Sequence, residues 1–192
     1  MNSSILIDSL VRLVVSELPL STRGIHGPSH WFGVRKNGLL LADMIGANNK
    51  AVELFALYHD CMRFNDGRDQ EYDLRGAKKA YKHWKEGLID ISRDEIDLLY
   101  EACRGYTGGG NSPNDVTIGT CWDADRLDLL RVNIVPDADR LHNEEAKRIA
   151  NESDFLVLDT HKAITEYKRV VFDLDHTLID EKGETVRPGI YK

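Results

Sequence analysis

Apolar residues recur at every third or fourth position along most of the chain before residue 168. This spacing places them on one face of a helix and predicts that the face is buried. The pattern predicts helices over about residues 4–18, 29–46, 51–62, 73–86, 92–104 and 121–132, with weaker helical patterns over residues 143–151 and 159–168.

Residues with strong positional preferences mark the ends of these helices. Ser29 is a suitable N-cap for the second helix. Ser92 and Glu95 form the pattern of a capping box, in which each side chain binds the backbone of the other. Apart from residues 155–158, no strand pattern occurs in this part of the chain. Residues 1–168 are therefore predicted to form one all-α domain, a helical bundle.

The pattern changes at Arg169. Residues 170–172 are apolar and β-branched or aromatic, and Asp173-Leu174-Asp175 follows them directly. This order is typical of a short β-strand that ends in a polar loop. Residues 169–192 are therefore predicted to form a separate C-terminal segment.

Composition limits the classes of function. The chain has 192 residues, a formal net charge of −7 and a sequence pI of about 5.5. This acidity disfavours a nucleic acid or an acidic membrane as partner. No apolar stretch approaches the ~20 residues of a transmembrane helix, and no signal peptide is indicated. The cysteines lack CxxC spacing and are predicted to be reduced thiols, which favours a cytoplasmic protein.

Four side chains suggest chemistry: His30, the adjacent pair His59-Asp60, and Asp125. His59 and Asp60 end a densely apolar helix, where burial of an unpaired His-Asp pair would be unfavourable. A cation would offset that cost. Two imidazoles and two carboxylates suit Mn, Fe, Co, Ni or Zn, with Mg as a further candidate, and leave positions open for water. A water activated in this way can attack phosphorus.

The last of these ligands has a rival in the sequence. Asp125 shares a helical face with Cys121 and Leu129, whereas Asp123 points away from that face. Asp139 stands in a near-repeat of the same sequence, but it follows Pro136 at a predicted helix start, where an aspartate is usually a cap. Asp125 is therefore preferred as the ligand.

At these residues the sequence resembles the HD superfamily of metal-dependent phosphohydrolases. The pattern of that family is a histidine, a His-Asp pair and a later aspartate, often within Ala-Asp-Arg-Leu, as at residues 124–127 here. The resemblance covers about residues 20–135 and is strongest to a bacterial branch of small HD proteins. It implies an HD-type helical bundle. It also implies that a metal-activated water hydrolyses a phosphate ester of a nucleotide or related small phosphometabolite.

The resemblance also bears on the number of metals. Relatives that hold two metals carry two further histidines, which we would expect near Tyr72 and Tyr106. The chain has tyrosines there, and its only histidine between Asp60 and Asp125 is His83. One divalent metal is therefore expected.

Other polar residues are candidates for contact with the substrate or for catalysis. Arginine suits phosphoryl oxygens, and Asp66 or Asp69 could orient water or the leaving group. Structural roles stay open for all of them, since Asp66 lies in an Asn-Asp-Gly turn sequence. The candidates for catalysis are Asp66, Asp69 and Arg63, and those for substrate binding are Arg63, Arg126, His26 and Lys78.

The C-terminal segment carries a second resemblance. Asp173, Asp175 and Thr177 match the first motif of the HAD phosphatases, in which Asp173 would be the nucleophile and Asp175 the acid or base. Only 15 residues follow Thr177, whereas a HAD core needs on the order of 100 more, so no HAD activity is expected. A second hypothesis follows: a metal-binding, catalytically weak regulatory HD domain coupled to a HAD-type enzyme missing from this chain. The exposed strand could also pair with a second copy, as a homodimer, or fold onto the helical domain.

Overall fold

Seven α-helices make up the described part of the chain. The computed structural model describes residues 5, 8–105 and 115–151, and the backbone of residues 178–179 and 185–186. The helices are α1 Asp8–Ser16, α2 Pro28–Ile45, α3 Asn49–Tyr58, α4 Tyr72–Lys85, α5 Arg93–Arg104, α6 Val116–Leu127 and α7 Glu144–Asn151. Two short 3₁₀ helices, Asp128–Val132 and Ala138–Arg140, connect α6 to α7. Among the described helices, none has the length and apolar content needed to cross a membrane.

Helix α3 forms the centre of the bundle. Every residue from Ala51 to Tyr58 is buried, because α2, α5 and α6 pack against it. Burial of a Leu or Phe side chain contributes about 1.5–3 kcal/mol, so α3 anchors the core. Its dense apolar sequence thus reflects burial on all sides rather than on one face. The chain leaves this helix at His59, inside the protein.

Capping side chains set several helix ends. The predicted capping box is present: Ser92 accepts from the Glu95 amide, and Glu95 accepts from that of Ser92. Asn48 caps α3 through the amide of Ala51. The prediction of Ser29 as an N-cap was wrong, because α2 begins with Pro28 at its first position after Gly27. Proline is favoured there, since that amide has no partner within the helix.

Helix α4 lies close to the end of α3. A Cβ atom on Gly76 would lie 2.2 Å from the carbonyl oxygen of Tyr58. The absence of a side chain at Gly76 lets the two backbones approach next to the His59-Asp60 doublet. Helix α4 therefore supports the position at which the doublet emerges.

The described part of the C-terminal segment is one antiparallel pair of two-residue strands, β1 Leu178–Ile179 and β2 Thr185–Val186, with Leu178 opposite Val186. The predicted strand at 170–172, the motif of Asp173, Asp175 and Thr177, and the helical pattern at 159–168 lie outside the described residues. Within the described residues the architecture is the predicted helical bundle.

Candidate metal centre

The four predicted ligands come from three helices and meet in the interior. His30 lies in the first turn of α2, His59 and Asp60 follow the last residue of α3, and Asp125 lies in the last turn of α6. All four residues are buried. They come together because α2 packs against both α3 and α6.

The distances among these side chains are short. His30 Nε2 lies 3.1 Å from His59 Nε2 and 2.9 Å from Asp125 Oδ1. Asp60 Oδ2 lies 3.6 Å from His30 Nε2 and 3.7 Å from His59 Nε2. Asp125 Oδ1 lies 3.6 Å from His59 Nε2. Ligand atoms of His30, His59 and Asp60 all lie within 4.8 Å of one another, so these three residues could hold one metal ion.

Backbone carbonyls determine the orientation of His59. Its Nδ1 lies 3.0 Å from the carbonyl oxygen of Phe55 and 3.1 Å from that of Ala56, and its ring stacks on the Phe55 ring. Carbonyl oxygens only accept, so Nδ1 carries the hydrogen. With Nδ1 engaged in this way, Nε2 is the nitrogen that faces His30, Asp60 and Asp125 and is available as a metal ligand.

A carboxylate outside the predicted ligand set orients His30. Asp128 Oδ2 lies 2.7 Å from His30 Nδ1, so Nδ1 donates and Nε2 faces the other ligands. Two Nε2 atoms 3.1 Å apart need a proton or a cation between their lone pairs. The arrangement of donors therefore fits a bound cation.

The electrostatic environment also favours positive charge in the pocket. Burial alone would lower the pKa of His30, but the carboxylates of Asp125 and Asp128 raise it to about 9. Burial would raise the pKa of Asp125, yet its hydrogen bonds with His30 and His59 hold that pKa well below the usual range. The Asp125 carboxylate thus remains charged and attracts a cation.

Arg63 lies directly behind Asp60. It is buried, its Nη1 lies 3.4 Å from Asp60 Oδ1, and its Nη2 donates to the Gly67 carbonyl at 2.9 Å. Its guanidinium lies 4.0 Å from the centre of the Tyr72 ring. Tyr72 is thus a buried support for Arg63. Tyr106 lies outside the described residues.

His26 and Asp66 form a hydrogen-bonded pair near the four ligands. His26 Nδ1 lies 2.9 Å from Asp66 Oδ1, and the ring centres of His26 and His30 are 6.3 Å apart. The Asp66 side chain is 48% exposed. Burial lowers the pKa of His26, although Asp66 partly opposes this. The pair therefore lies between the buried ligands and solvent.

Two of the other candidates, Asp69 and Arg126, meet oppositely charged side chains, whereas Lys78 is exposed. Asp69 binds Arg75 at 2.6 Å and accepts from the amide of Phe64 at 2.7 Å, so it braces the loop after the doublet. Arg126 Nη1 lies 3.9 Å from Asp123 Oδ1. Lys78 is exposed on α4 and lines a shallow groove with residues of α4 and α5, which are Tyr81, Arg93, Asp97 and Tyr100.

Asp125 and its rival differ in burial. Asp139 is exposed in a 3₁₀ helix, where the Asp137 side chain accepts from its amide. Asp123 was predicted to point away from the apolar face of this helix. It is fully buried and accepts from the amides of His142 and Asn143, each at 2.8 Å. Asp125 is therefore the member of this group that meets the two histidines.

Comparison with solved structures identifies the type of fold. No protein-family model matches the sequence, and no curated protein matches it. The chain is similar to a crystal structure of a predicted HD superfamily hydrolase from an uncultured Thermotogales bacterium. The sequences are 23% identical, the match covers 82% of this chain and 91% of that chain, and the TM-score is 0.59. The predicted fold, an HD-type helical bundle, is thereby confirmed.

Proposed function

We propose that this chain is a metal-dependent phosphohydrolase that cleaves a phosphate ester of a nucleotide or related small phosphorylated metabolite. The observation that supports it best is the meeting of two imidazole Nε2 atoms with two buried carboxylates, while each Nδ1 is engaged elsewhere. Such a donor set, in the fold of a predicted HD hydrolase, suits a divalent ion with open positions.

The ligands in this proposal are His30, His59, Asp60 and Asp125. A divalent cation bound to them would activate a water near neutral pH and offset negative charge on the phosphoryl oxygens. One cation is proposed, because the buried Tyr72 supports Arg63 where a second metal would require a ligand. The donor set is compatible with Mn, Fe, Co, Ni, Zn or Mg.

The surrounding residues orient these ligands. The carbonyls of Phe55 and Ala56 hold His59 in one tautomer, and Arg63 holds one oxygen of Asp60. This leaves Asp60 Oδ2 directed at both histidines. We therefore assign to Arg63 the positioning of Asp60 instead of direct contact with phosphate.

Contact with the substrate is assigned to His26 and Asp66. They lie beside His30, and Asp66 is accessible from solvent. Asp66 accepts from His26 Nδ1 and so directs His26 Nε2 away from itself. Asp69, Arg126 and Lys78 are weaker candidates, because the first two meet opposite charges and the third lies in the groove between α4 and α5. The net charge of −7 makes a small phosphorylated molecule a better substrate than a long nucleic acid.

A screen for phosphate release tests the proposal. The full chain is loaded separately with Mn, Fe, Co, Ni, Zn and Mg and assayed against nucleoside monophosphates and generic phosphoesters. We expect turnover with at least one metal, its loss in His59→Ala and Asp125→Ala, and its retention in the matched control Asp139→Ala. Metal binding without turnover on any substrate would favour the regulatory alternative. Turnover that survives His59→Ala would contradict the assigned site.

A further inference from the structure

We propose that Asp128 and Arg131 are positioning residues that hold His30 in the geometry needed for metal binding. This inference rests on the proposed function, because it concerns the same metal centre. Neither residue would contact the metal. Asp128 would act on the His30 ring directly, and Arg131 would act through Asp128 and the loop before α2.

Asp128 and Asp125 hold the His30 ring from opposite sides. Asp128 Oδ2 lies 2.7 Å from Nδ1, and Asp125 Oδ1 lies 2.9 Å from Nε2. The two aspartates are three residues apart, one within the last turn of α6 and the other at its C-cap. A carboxylate on the second nitrogen of a metal-binding histidine fixes its tautomer and raises its basicity.

Gly33 provides the space for Asp128. It lies three residues after His30 on α2, so the two residues share a helical face. A Cβ atom on Gly33 would lie 2.1 Å from Asp128 Oδ1 and 2.7 Å from its Cγ. Asp128 can therefore reach His30 Nδ1 in this arrangement only because residue 33 has no side chain.

Arg131 connects Asp128 to the loop before α2. Its Nε lies 3.4 Å from Asp128 Oδ2, and its Nη1 donates to the backbone carbonyl of Asp128 at 3.2 Å. Its Nη2 donates to the carbonyl of Ile25 at 2.9 Å. Ile25 is adjacent to His26, so one arginine links the carboxylate behind His30 to the segment that carries His26.

Asp137 and Arg140 form an exposed surface pair with the same sequence spacing as Asp128 and Arg131. Asp137, the N-cap of the second 3₁₀ helix, and Arg140, its last residue, are also three residues apart and approach to 3.5 Å, but their side chains are 57% and 79% exposed. Such exposed pairs contribute little to stability. Asp128 is buried against a histidine and a glycine. Asp137 is therefore a matched control.

Titration of the full chain with Co²⁺ tests this inference, since the visible absorption bands of Co²⁺ report its coordination. We expect Asp128→Asn to weaken Co²⁺ binding roughly 10–100-fold and to change these bands, while circular dichroism shows an intact helical fold. Asp137→Asn should match the unchanged protein in affinity and spectrum. Gly33→Ala should weaken Co²⁺ binding as well, because the new methyl group displaces Asp128, although alanine favours a helix.

The outcomes separate this inference from the proposed function. If the unchanged protein binds no Co²⁺, the metal site itself is contradicted and the inference falls with it. If it binds Co²⁺ and Asp128→Asn binds with the same affinity and spectrum, only the inference is overturned. If Asp128→Asn fails to fold, Gly33→Ala decides: weaker binding with a changed spectrum supports the inference, and unchanged binding overturns it.

Discussion

Replacement of Asp123 by alanine should destabilise the protein without removing its metal site. The Asp123 carboxylate is fully buried and accepts three hydrogen bonds: from the backbone amides of His142 and Asn143, each at 2.8 Å, and from the Asn143 side chain at 2.9 Å. These residues directly precede α7. Asp123 therefore ties the start of α7 to α6.

The size of the effect follows from these bonds. A hydrogen bond to a charged group contributes about 1.5–3 kcal/mol to the free energy of unfolding. The amides freed by the substitution are only partly buried, so they regain some hydrogen bonding to water. We therefore expect the free energy of unfolding to fall by about 3 kcal/mol in total. For a chain of this length, that loss lowers Tm by roughly 6–12 °C.

Urea denaturation of Asp123→Ala, followed by circular dichroism, measures this loss. The experiment is run at pH 8 because burial raises the pKa of Asp123, and the carboxylate must be ionised. Asp139→Ala is the control, since Asp139 is exposed. A free energy of unfolding within 0.5 kcal/mol of the unchanged protein, the range of ordinary surface substitutions, would contradict this expectation. So would loss of Co²⁺ binding by the folded variant, because Asp123 is not assigned as a ligand.

Three further predictions concern the metal centre, the contact between α3 and α4, and the thiols. A divalent metal at about 100 times its Kd adds about 2.7 kcal/mol to the free energy of unfolding and should raise Tm by roughly 5–10 °C. His59→Ala should abolish this rise in Tm. An equal rise in that variant would contradict the ligand assignment. Gly76→Ala should lower the free energy of unfolding, measured by urea denaturation, by about 1–3 kcal/mol, because the new Cβ atom would overlap the Tyr58 carbonyl. An unchanged free energy of unfolding would contradict this close approach. Burial raises the pKa of Cys61 to about 12 and also raises the pKa values of Cys103 and Cys121. An aromatic disulfide reagent at pH 8 should therefore label the three thiols only after unfolding. Rapid labelling of the folded protein would contradict their burial.

Much of the helical architecture could be predicted because it depends on local signals. Apolar periodicity located each described helix except for shifts at the ends, and the capping box at Ser92 needs only two residues three positions apart. The N-cap of α2 was predicted wrongly, because the helix begins at Pro28 after Gly27, and no side chain caps it. The chain after residue 127 continues as a 3₁₀ helix where the pattern predicted an α-helix to residue 132.

The candidate site could be predicted only in part. The order of His30, the His59-Asp60 doublet and Asp125 pointed to residues that the structure brings together. The role of Asp128 depends on a contact across 98 positions of the chain and on the space left by Gly33. No local pattern reveals such a contact.

The same limit applies to the charged residues around the site. Arginine suits phosphate in any sequence, but only packing shows that Arg63 lies behind Asp60. Packing also shows that Asp69 is held by Arg75 and that Lys78 is exposed beside a groove of α4 and α5. The partner of a long charged side chain is set by tertiary structure, so its role could not be predicted from the sequence alone.

Metal content per chain tests whether His30, His59, Asp60 and Asp125 hold one divalent ion. The full chain is equilibrated with Mn²⁺ or Co²⁺, dialysed, and analysed for bound metal beside the Asp125→Ala and Asp139→Ala variants. We predict one metal ion per chain in the unchanged protein and in Asp139→Ala, and none retained by Asp125→Ala. No bound metal in the unchanged protein, or equal retention by Asp125→Ala, would contradict the account.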